Sequence, residues 1–253
     1  MADKQNARVP IRETFILPSH GKVYQNIPEK ITLRAMTTMD EKIRLSSSGI
    51  SSFVALLNAC IVEPEDIDAS EFKMFDLLFL IYKLRCITYG SEDYKVAIGC
   101  PSCGRDVEIS TNLDDIPVNY MDGEAGEPFD IGPLPVSKDV LTCKFLSVKD
   151  ILNIEQESKK MLSKFKEYVG DPEFVLGYKF MITAVNGDIL PDFKLMNYVE
   201  NMHARDLMYF DSKYDSITGN YGMDLIRTDI CPFCGSDIKY QLPVTDEFFR
   251  PRY

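Results

Sequence analysis

Four of the seven cysteines lie in two matching pairs, Cys100-Pro-Ser-Cys103-Gly104 and Cys231-Pro-Phe-Cys234-Gly235. Two residues between the cysteines allow a tight turn to direct both sulfurs at one tetrahedral ion, and the glycine that follows tolerates a positive φ. Four thiolates leave no coordination position open for a substrate or a water molecule. We therefore predict a structural Zn²⁺ bound by Cys100, Cys103, Cys231 and Cys234.

The separation of the two pairs is unusual. Residues 104 to 230 lie between them, whereas the paired units of one site are usually about 15 to 20 residues apart. Either each pair is completed by a partner chain, or one site is split and a whole domain is inserted between its halves. We favour the split site, because a closed site within one chain contributes folding free energy without a partner. The apolar surroundings of Cys60, Cys86 and Cys143 predict small buried side chains.

The residues on both sides of each cysteine pair have the composition of β-strands. Tyr94–Ile98 and Asp106–Ser110 flank the first pair, and Asp224–Ile230 and Asp237–Leu242 flank the second. Two such runs joined by a short Gly-containing segment are typical of a β-hairpin. We expect each cysteine pair to lie at the tip of a hairpin.

The rest of the chain predicts a mixture of short strands and helices. Strands are expected at both ends of Glu13–Tyr24, around a Pro/Gly turn, and over Ile31–Met36 and Val140–Leu146. Apolar spacing and capping residues predict helices over residues 39–45, 51–59, 69–88, 147–168, 173–185 and 192–210.

Two stretches repeat the same order of signals, which suggests a distant internal duplication. In each, a strand precedes a Ser/Thr-x-x-Asp helix start, at Thr37–Asp40 and Ser147–Asp150, and helices then lead to a cysteine hairpin. We predict an α+β fold of two similar helical/β units joined through β-hairpins that form a split zinc ribbon with four cysteine ligands. The units are residues 1–111 and 136–253, and the Asp-, Gly- and Pro-rich residues 112–135 are expected to form a linker loop.

Composition narrows the class of function. The 253 residues include 28 basic and 39 acidic side chains, and the net charge of −11 repels nucleic-acid phosphates. The longest apolar run, Leu77–Tyr82, is far shorter than the roughly 20 residues of a membrane-spanning helix. The first ten residues lack the apolar core of a secretory signal. We expect a protein made in the cytoplasm that binds neither nucleic acid nor a membrane.

Signatures of common catalytic sites are missing from the sequence. It contains no dinucleotide-binding, P-loop, zinc-protease or serine-hydrolase motif. The two histidines, His20 and His203, stand alone and are expected to be solvated or to cap a helix. We predict that the protein is not an enzyme and has no small-molecule substrate. The alternative suggested by the cysteine hairpins is a zinc-ribbon protein that binds nucleic acid or acts in transcription.

Several short segments resemble the baseplate hub family of T4-like contractile-tailed bacteriophages. These are Phe15-Ile-Leu-Pro-Ser-His-Gly-Lys-Val-Tyr24, Ile31-Thr-Leu-Arg34 with the helix start after it, His203-Ala-Arg-Asp206, and the closing Leu242-Pro to Phe248-Phe-Arg-Pro251. The resemblance implies a structural or assembly protein in the central hub region of the baseplate, located in the virion. It also implies that the partners are other baseplate and tail proteins, or further copies of the same chain.

Three segments are candidates for contacts with such partners. They are the loop 112–135, the arm before Glu13, and the tail Tyr240–Tyr253, which is rich in aromatic residues and arginine. Segments of this composition can become ordered on binding. For the tail, the alternative is that it folds back on the core of its own chain.

Overall fold

The computed structural model describes residues 11–46, 49–92, 94–123, 126–164, 170–219, 221–243 and 246–249. Its helices are α1 (Thr38–Arg44), α2 (Ile50–Cys60), α3 (Met74–Tyr89), α4 (Val148–Lys164), α5 (Pro172–Met181), α6 (Asp192–Glu200) and α7 (Ala204–Thr218). Its strands are β1 (Arg12–Ile16), β2 (Lys30–Arg34), β3 (Ile61–Glu63), β4 (Tyr94–Gly99), β5 (Asp106–Thr111), β6 (Val118–Asn119), β7 (Phe129–Ile131), β8 (Leu141–Cys143), β9 (Ile182–Val185), β10 (Gly222–Met223), β11 (Ile226–Ile230) and β12 (Asp237–Gln241). Within these residues, no helix is both long and apolar enough to cross a membrane.

Two antiparallel sheets of three strands share one design. Their orders are β1-β2-β3 and β7-β8-β9, and in each sheet a pair of helices connects the second strand to the third, α1 and α2 or α4 and α5. Both sheets also contain the same register shift where the middle strand pairs with the third strand. The pairs that define it are Thr32 with Glu63 and Leu33 with Ile61, and Thr142 with Ala184 and Cys143 with Ile182.

The helix that follows β2 begins at a partly buried ion pair. The guanidinium of Arg34, at the end of β2, donates to both carboxylate oxygens of Asp40 at 2.7 and 2.9 Å. The hydroxyl of Thr37 donates to the same carboxylate at 2.8 Å. Asp40 therefore holds the end of the strand and the start of α1 together.

The second unit repeats this arrangement with different residue types. The ammonium of Lys144 lies 2.9 Å from both carboxylate oxygens of Asp150, and the hydroxyl of Ser147 donates to Asp150 at 2.9 Å. The capped helix starts predicted at Thr37 and Ser147 are both present, and α1 and α4 start within one residue of these caps. The spacing from the basic residue to the acid is the same in both units.

Each unit also carries a Leu-Pro turn after its first strand, closed by a buried aspartate. In the first, the N–H of Ser19 donates to Asp76, in the first turn of α3, at 3.1 Å. In the second, the N–H groups of Val136 and Ser137 donate to Asp206, in the first turn of α7, at 2.6 and 3.0 Å. Each long helix is thereby tied to the first strand of its own sheet.

The hydrophobic core does not divide where the sequence suggested. One cluster contains Leu33, Leu80 and Leu84 together with Ile238 and Tyr240 of the second hairpin, so the end of the chain packs on the first unit. A second cluster, built around Leu141, Phe210 and their neighbours, spans residues 131–214. The second unit is thus an insertion between two parts of the first core, and the boundary expected at residue 136 does not separate the two cores.

Residues 112–135 differ from the linker loop that was expected. Leu113–Asp115 forms a turn of 3-10 helix, β6 pairs with β10, and β7 is the first strand of the second sheet. Met121 is buried with Val23 and Phe145 between the units. In the part of this segment that is described, the apolar residues that lie between the Asp and Gly positions pack into the hydrophobic clusters. The segment is therefore part of the fold.

Four further predictions about elements were wrong in detail. The second strand expected near Tyr24 is a series of turns, and the long helix over 69–88 begins as α3 at Met74 after a short 3-10 turn. The helix over 173–185 ends at Met181 and continues as β9, because Ile182–Val185 pairs with β8. The helix over 192–210 is divided into α6 and α7, with His203 as the N-cap of the second.

The tail folds back on the core of its own chain. Phe248 and Phe249 are almost completely buried, and the Phe248 ring meets Tyr82 with centroids 4.7 Å apart. The Nε of Arg85 donates to the carbonyl of Phe248 at 3.0 Å. These two phenylalanines are therefore core residues and not part of an exposed interface. Residues 250–253 and the arm before residue 11, also expected at interfaces, lie outside the described residues.

Candidate metal centre

Both cysteine pairs lie at the tips of antiparallel hairpins, as predicted. The first tip joins β4 to β5 and the second joins β11 to β12. The two tips make the same backbone hydrogen bonds: the N–H of Gly104 donates to the carbonyl of Cys100, and that of Gly235 to Cys231, both at 2.9 Å. These glycines adopt φ values of 71° and 75°, a region that other residues rarely enter. The sequence Cys-Pro-x-Cys-Gly therefore produces the same turn twice.

The two tips bring all four sulfurs together. The Sγ atoms of Cys100 and Cys234 lie 3.7 Å apart, and those of Cys103 and Cys231 lie 3.8 Å apart. All four lie within 4.8 Å of one another. A tetrahedral ion with metal–sulfur bonds of about 2.3 Å requires sulfurs about 3.8 Å apart. The donor set and its spacing thus fit one tetrahedral metal ion, within one chain.

The four cysteines differ in burial and in the hydrogen bonds that their sulfurs accept. Cys100 and Cys231 are buried, whereas Cys103 and Cys234 are exposed. Backbone N–H groups of Cys103 and Ser102 lower the pKa of Cys100, and the N–H of Ser236 lowers the pKa of Cys234 to about 6. N–H groups that point at sulfur favour the thiolate, which is the form that binds metals.

The thiol of Cys103 is affected in the opposite direction. The N–H of Arg105 lowers its pKa, but desolvation and hydrogen bonds with the neighbouring sulfurs outweigh this and raise the pKa to about 11. Without an ion, Cys103 therefore holds its proton more firmly than Cys100 and Cys234 hold theirs. A bound cation would displace the remaining protons, since metal binding at thiols releases them.

A contact outside the sulfurs also joins the two tips. The guanidinium of Arg105, on the first tip, lies over the ring of Phe233, on the second, at 5.0 Å from its centroid. Sequence reasoning missed this pair, although both residues lie within two positions of a cysteine. Beneath the tips, Val107 and Ile109 of β5 and Ile238 of β12 are buried in the first core. Both hairpins are thus anchored to the same body.

The other three cysteines are buried or half-buried and lie away from the cluster. Burial raises the pKa of Cys60 and of Cys143 to about 12 and that of Cys86 to about 11. Thiols that hold their protons this firmly are weak nucleophiles and weak ligands. The prediction that these residues act as small hydrophobic side chains agrees with this environment.

His203 has the capping role expected of it, whereas His20 is a half-buried residue of a turn. The Nδ1 of His203 accepts the N–H of Arg205 at 3.1 Å and caps α7. His20 occupies a turn position with φ of 51°, beside the ring of Tyr120. Neither histidine belongs to the cluster, which consists of four cysteines.

Sequence reasoning did not single out the two buried aspartates at the long helices. Burial raises the pKa of Asp76 to about 6, against the hydrogen bonds it accepts from Ser19 and Tyr24. Asp206 is equally buried, and desolvation opposes its charge, but the N–H groups of Ser137 and Val136 outweigh this effect and lower its pKa. The sequence does contain a signal for these two residues, because an acid at the third position of a helix is a common capping pattern.

The molecule is thus an α+β protein in which a cluster of four cysteines joins the tips of two hairpins. A family model described as T4 bacteriophage base plate protein matches residues 11–181. The chain therefore belongs to that family. The match includes the first cysteine pair and ends before the second. No curated protein and no solved structure shows a significant match.

Proposed function

We propose that the protein is a structural component of the central hub region of a contractile phage tail baseplate. The observation that carries this proposal is the family match, which covers about two thirds of the chain. As a baseplate component, the protein works by binding neighbouring tail proteins and catalyses no reaction.

A structural Zn²⁺ bound by the four cysteines is the second part of the proposal. The support is the sulfur spacing, which fits a tetrahedral ion, and the donor set of four thiols, which leaves no position for a substrate. The ion joins a hairpin that follows α3 to a hairpin that follows α7. It thereby fixes both ends of the inserted unit to the first core. A fixed orientation of the two units suits a protein that binds several neighbours through different surfaces.

The alternative of a nucleic-acid-binding ribbon is disfavoured by the charges of the two hairpins. Residues 94–111 and 226–241 together carry four basic and four acidic side chains, Lys95, Arg105, Arg227 and Lys239 against Asp106, Glu108, Asp229 and Asp237. Phosphate binding requires an excess of basic groups on the contact surface. The balanced charge and the net charge of −11 both favour protein partners.

Exposed apolar side chains on the second hairpin support a role in protein contacts. Ile226, Ile230 and Phe233 are 53%, 70% and 54% exposed. Apolar groups that cluster on a surface with a polar border are typical of interaction sites. This face of the ribbon is the surface that we expect to contact a neighbouring tail protein.

Purified particles test the proposal directly. We expect mass spectrometry to detect the chain in complete virions and isolated tails, and not in tailless heads. A tagged copy should appear on the central axis of the baseplate in averaged electron micrographs. Absence from intact tails, or a position at the baseplate periphery, would contradict the hub assignment.

A further inference from the structure

In the first unit, the start of α3 is covered by Tyr24. Its hydroxyl donates to Asp76 at 2.7 Å and accepts the backbone N–H of Lys73 at 2.8 Å. Its ring meets Phe72 edge-on, with centroids 6.1 Å apart. These three partners are the third residue of the helix, its N-cap, and the residue before the cap.

In the second unit, the residues at the same three positions line an open groove. They are Asp206, the N-cap His203, and Met202. The groove has a volume of about 900 Å³ and also contacts Val136 and Phe193. We call it the α6–α7 groove. It is larger than one aromatic side chain, so it has room for a tyrosine and the residues beside it.

The chain itself explains why this groove is open. In the first unit, the turn after β1 runs from Leu17 to Glu29 and contains Tyr24, and the N–H of Leu17 donates to Glu29 at 2.8 Å. In the second, the N–H of Leu134 makes the equivalent 2.8 Å bond to Asp139, and the shorter turn has no counterpart of Tyr24. Nearby, the hydroxyl of Tyr198 donates to Asp139 and not to Asp206.

The groove offers a hydrogen-bond acceptor and an apolar rim, which match the hydroxyl and the ring of a tyrosine. Asp206 lies at the floor of the groove and is 1% exposed. Each of its carboxylate oxygens accepts one backbone N–H, and the side chain of Ser137 adds a further hydrogen bond. A carboxylate has about four lone-pair sites, so one remains for a hydroxyl that reaches the floor of the groove. Phe193 and Val136 are 70% and 44% exposed at the rim. A tyrosine combines a hydroxyl donor for the carboxylate with a ring for the apolar rim, and aromatic anchors of this kind dominate binding energy at interfaces.

We propose that the α6–α7 groove binds a tyrosine from an extended segment of a neighbouring tail protein. Its hydroxyl donates to Asp206 and accepts the N–H of His203, and its ring packs on Met202 and Phe193. The site thus repeats, between two proteins, the contact that Tyr24 makes within the first unit. The identity of the partner as a tail protein rests on the proposed function, whereas the tyrosine-binding chemistry does not.

A peptide tests the chemistry without any assumption about the phage. The probe is the blocked pentapeptide Lys-Val-Tyr-Gln-Asn, a copy of residues 22–26, titrated into the full-length chain labelled with ¹⁵N. We expect amide shifts at Ser137, Phe193 and His203. Replacing the peptide tyrosine by alanine should abolish binding, and replacing it by phenylalanine should weaken binding about tenfold, because a hydrogen bond to a charged group is lost.

Two exposed phenylalanines provide a matched pair of variants. Phe193→Ala removes part of the groove and should weaken the peptide about tenfold. Phe174→Ala removes a ring that is 54% exposed on α5, outside the groove, and should leave binding unchanged. Shifts elsewhere on the protein, equal binding of the alanine peptide, or equal effects of the two variants would overturn the proposal.

The source of the tyrosine is tested in assembled tails. With p-benzoylphenylalanine in place of Phe193, irradiation should cross-link the chain beside a tyrosine of another tail protein. Tails without this cross-link, a link to a segment without tyrosine, or a link to a second copy or to the chain itself would contradict the neighbouring-protein assignment. If the chain were missing from tails altogether, the proposed function would fail while the peptide result stood.

Discussion

The Sγ atom of Cys100 lies 3.7 Å from that of Cys234, although the two residues are 134 positions apart in the sequence. The loop that this contact closes contains the whole second sheet and α4 to α7. Closing a loop of this length restricts the unfolded chain strongly. A metal ion at this contact would therefore stabilise the relation of the two units as well as the hairpin tips.

Purified protein should contain about one zinc ion per chain, held by these four cysteines. With the ion present, we expect an alkylating reagent to modify none of the four, whereas removal of the ion by a chelator should expose Cys103 and Cys234 first, since both are at the surface. Elemental analysis and peptide mapping measure the two quantities. Full reactivity of all four cysteines in freshly purified protein would refute the site.

Replacement of one of the four cysteines should prevent folding as well as metal binding. We expect Cys100→Ser and Cys231→Ser to give insoluble protein, because these two sulfurs are buried and structural zinc sites contribute directly to folding. Cys86→Ala is the control, since Cys86 is only half-buried and lies outside the cluster. The soluble yield and the melting temperature of each variant are compared with those of the wild type. An unchanged melting temperature in Cys100→Ser or Cys231→Ser would exclude a structural role for the site.

The tail should stabilise the first core through Phe248. Phe248→Ala is expected to lower the free energy of unfolding by about 3 to 5 kcal/mol, as for other buried phenylalanines. The cost includes the contact with Tyr82 and the cation–π contact with Arg85, whose guanidinium lies 5.5 Å from the ring centroid. Urea denaturation measures the change. Phe174→Ala, at an exposed ring, should cost far less, and similar losses for the two variants would show that the tail is not a core element.

Local signals predicted the two cysteine turns and the starts of α1 and α4, because each of these depends on residues close in sequence. Cys100 and Cys103 need one turn to converge, and Ser147 needs only Asp150 to cap α4. The strand β9 was missed because the apolar run of α5 continues into Ile182–Val185 without a breaking residue. Its conversion to a strand depends on pairing with β8, and such tertiary pairing overrides local preference.

The core against which the second hairpin packs could not be predicted, for a related reason. Ile238 and Tyr240 alternate with polar residues, which indicates one buried face but not the core against which it packs. The same limit applies to Phe248, whose burial depends on Arg85, a residue 163 positions away in the sequence. The α6–α7 groove became recognisable only through comparison of Asp206 with Asp76, which share a helix position but little surrounding sequence.

The ion pair at the start of α1 should make stability depend on pH in a defined window. Burial opposes the charge of Asp40, but hydrogen bonds from Arg34 and Thr37 outweigh it and lower the pKa from 3.8 to about 2. A carboxylate whose pKa is lower in the folded protein stabilises it above the unfolded pKa, and the effect is lost as the pH falls through the folded pKa. The contribution should be complete above about pH 4 and disappear toward about pH 2.

Asp40→Asn isolates this contribution. At neutral pH the variant should lose about 2 kcal/mol of unfolding free energy, from the size of the pKa change, and the difference from the wild type should shrink toward zero between about pH 4 and pH 2. Urea denaturation of both proteins over this range measures the difference. Loss of metal in acid affects both proteins alike and cancels. A difference that stayed constant over the whole acid range would show that Asp40 acts by packing and not by its charge, and Asp150→Asn would then be expected to behave in the same way.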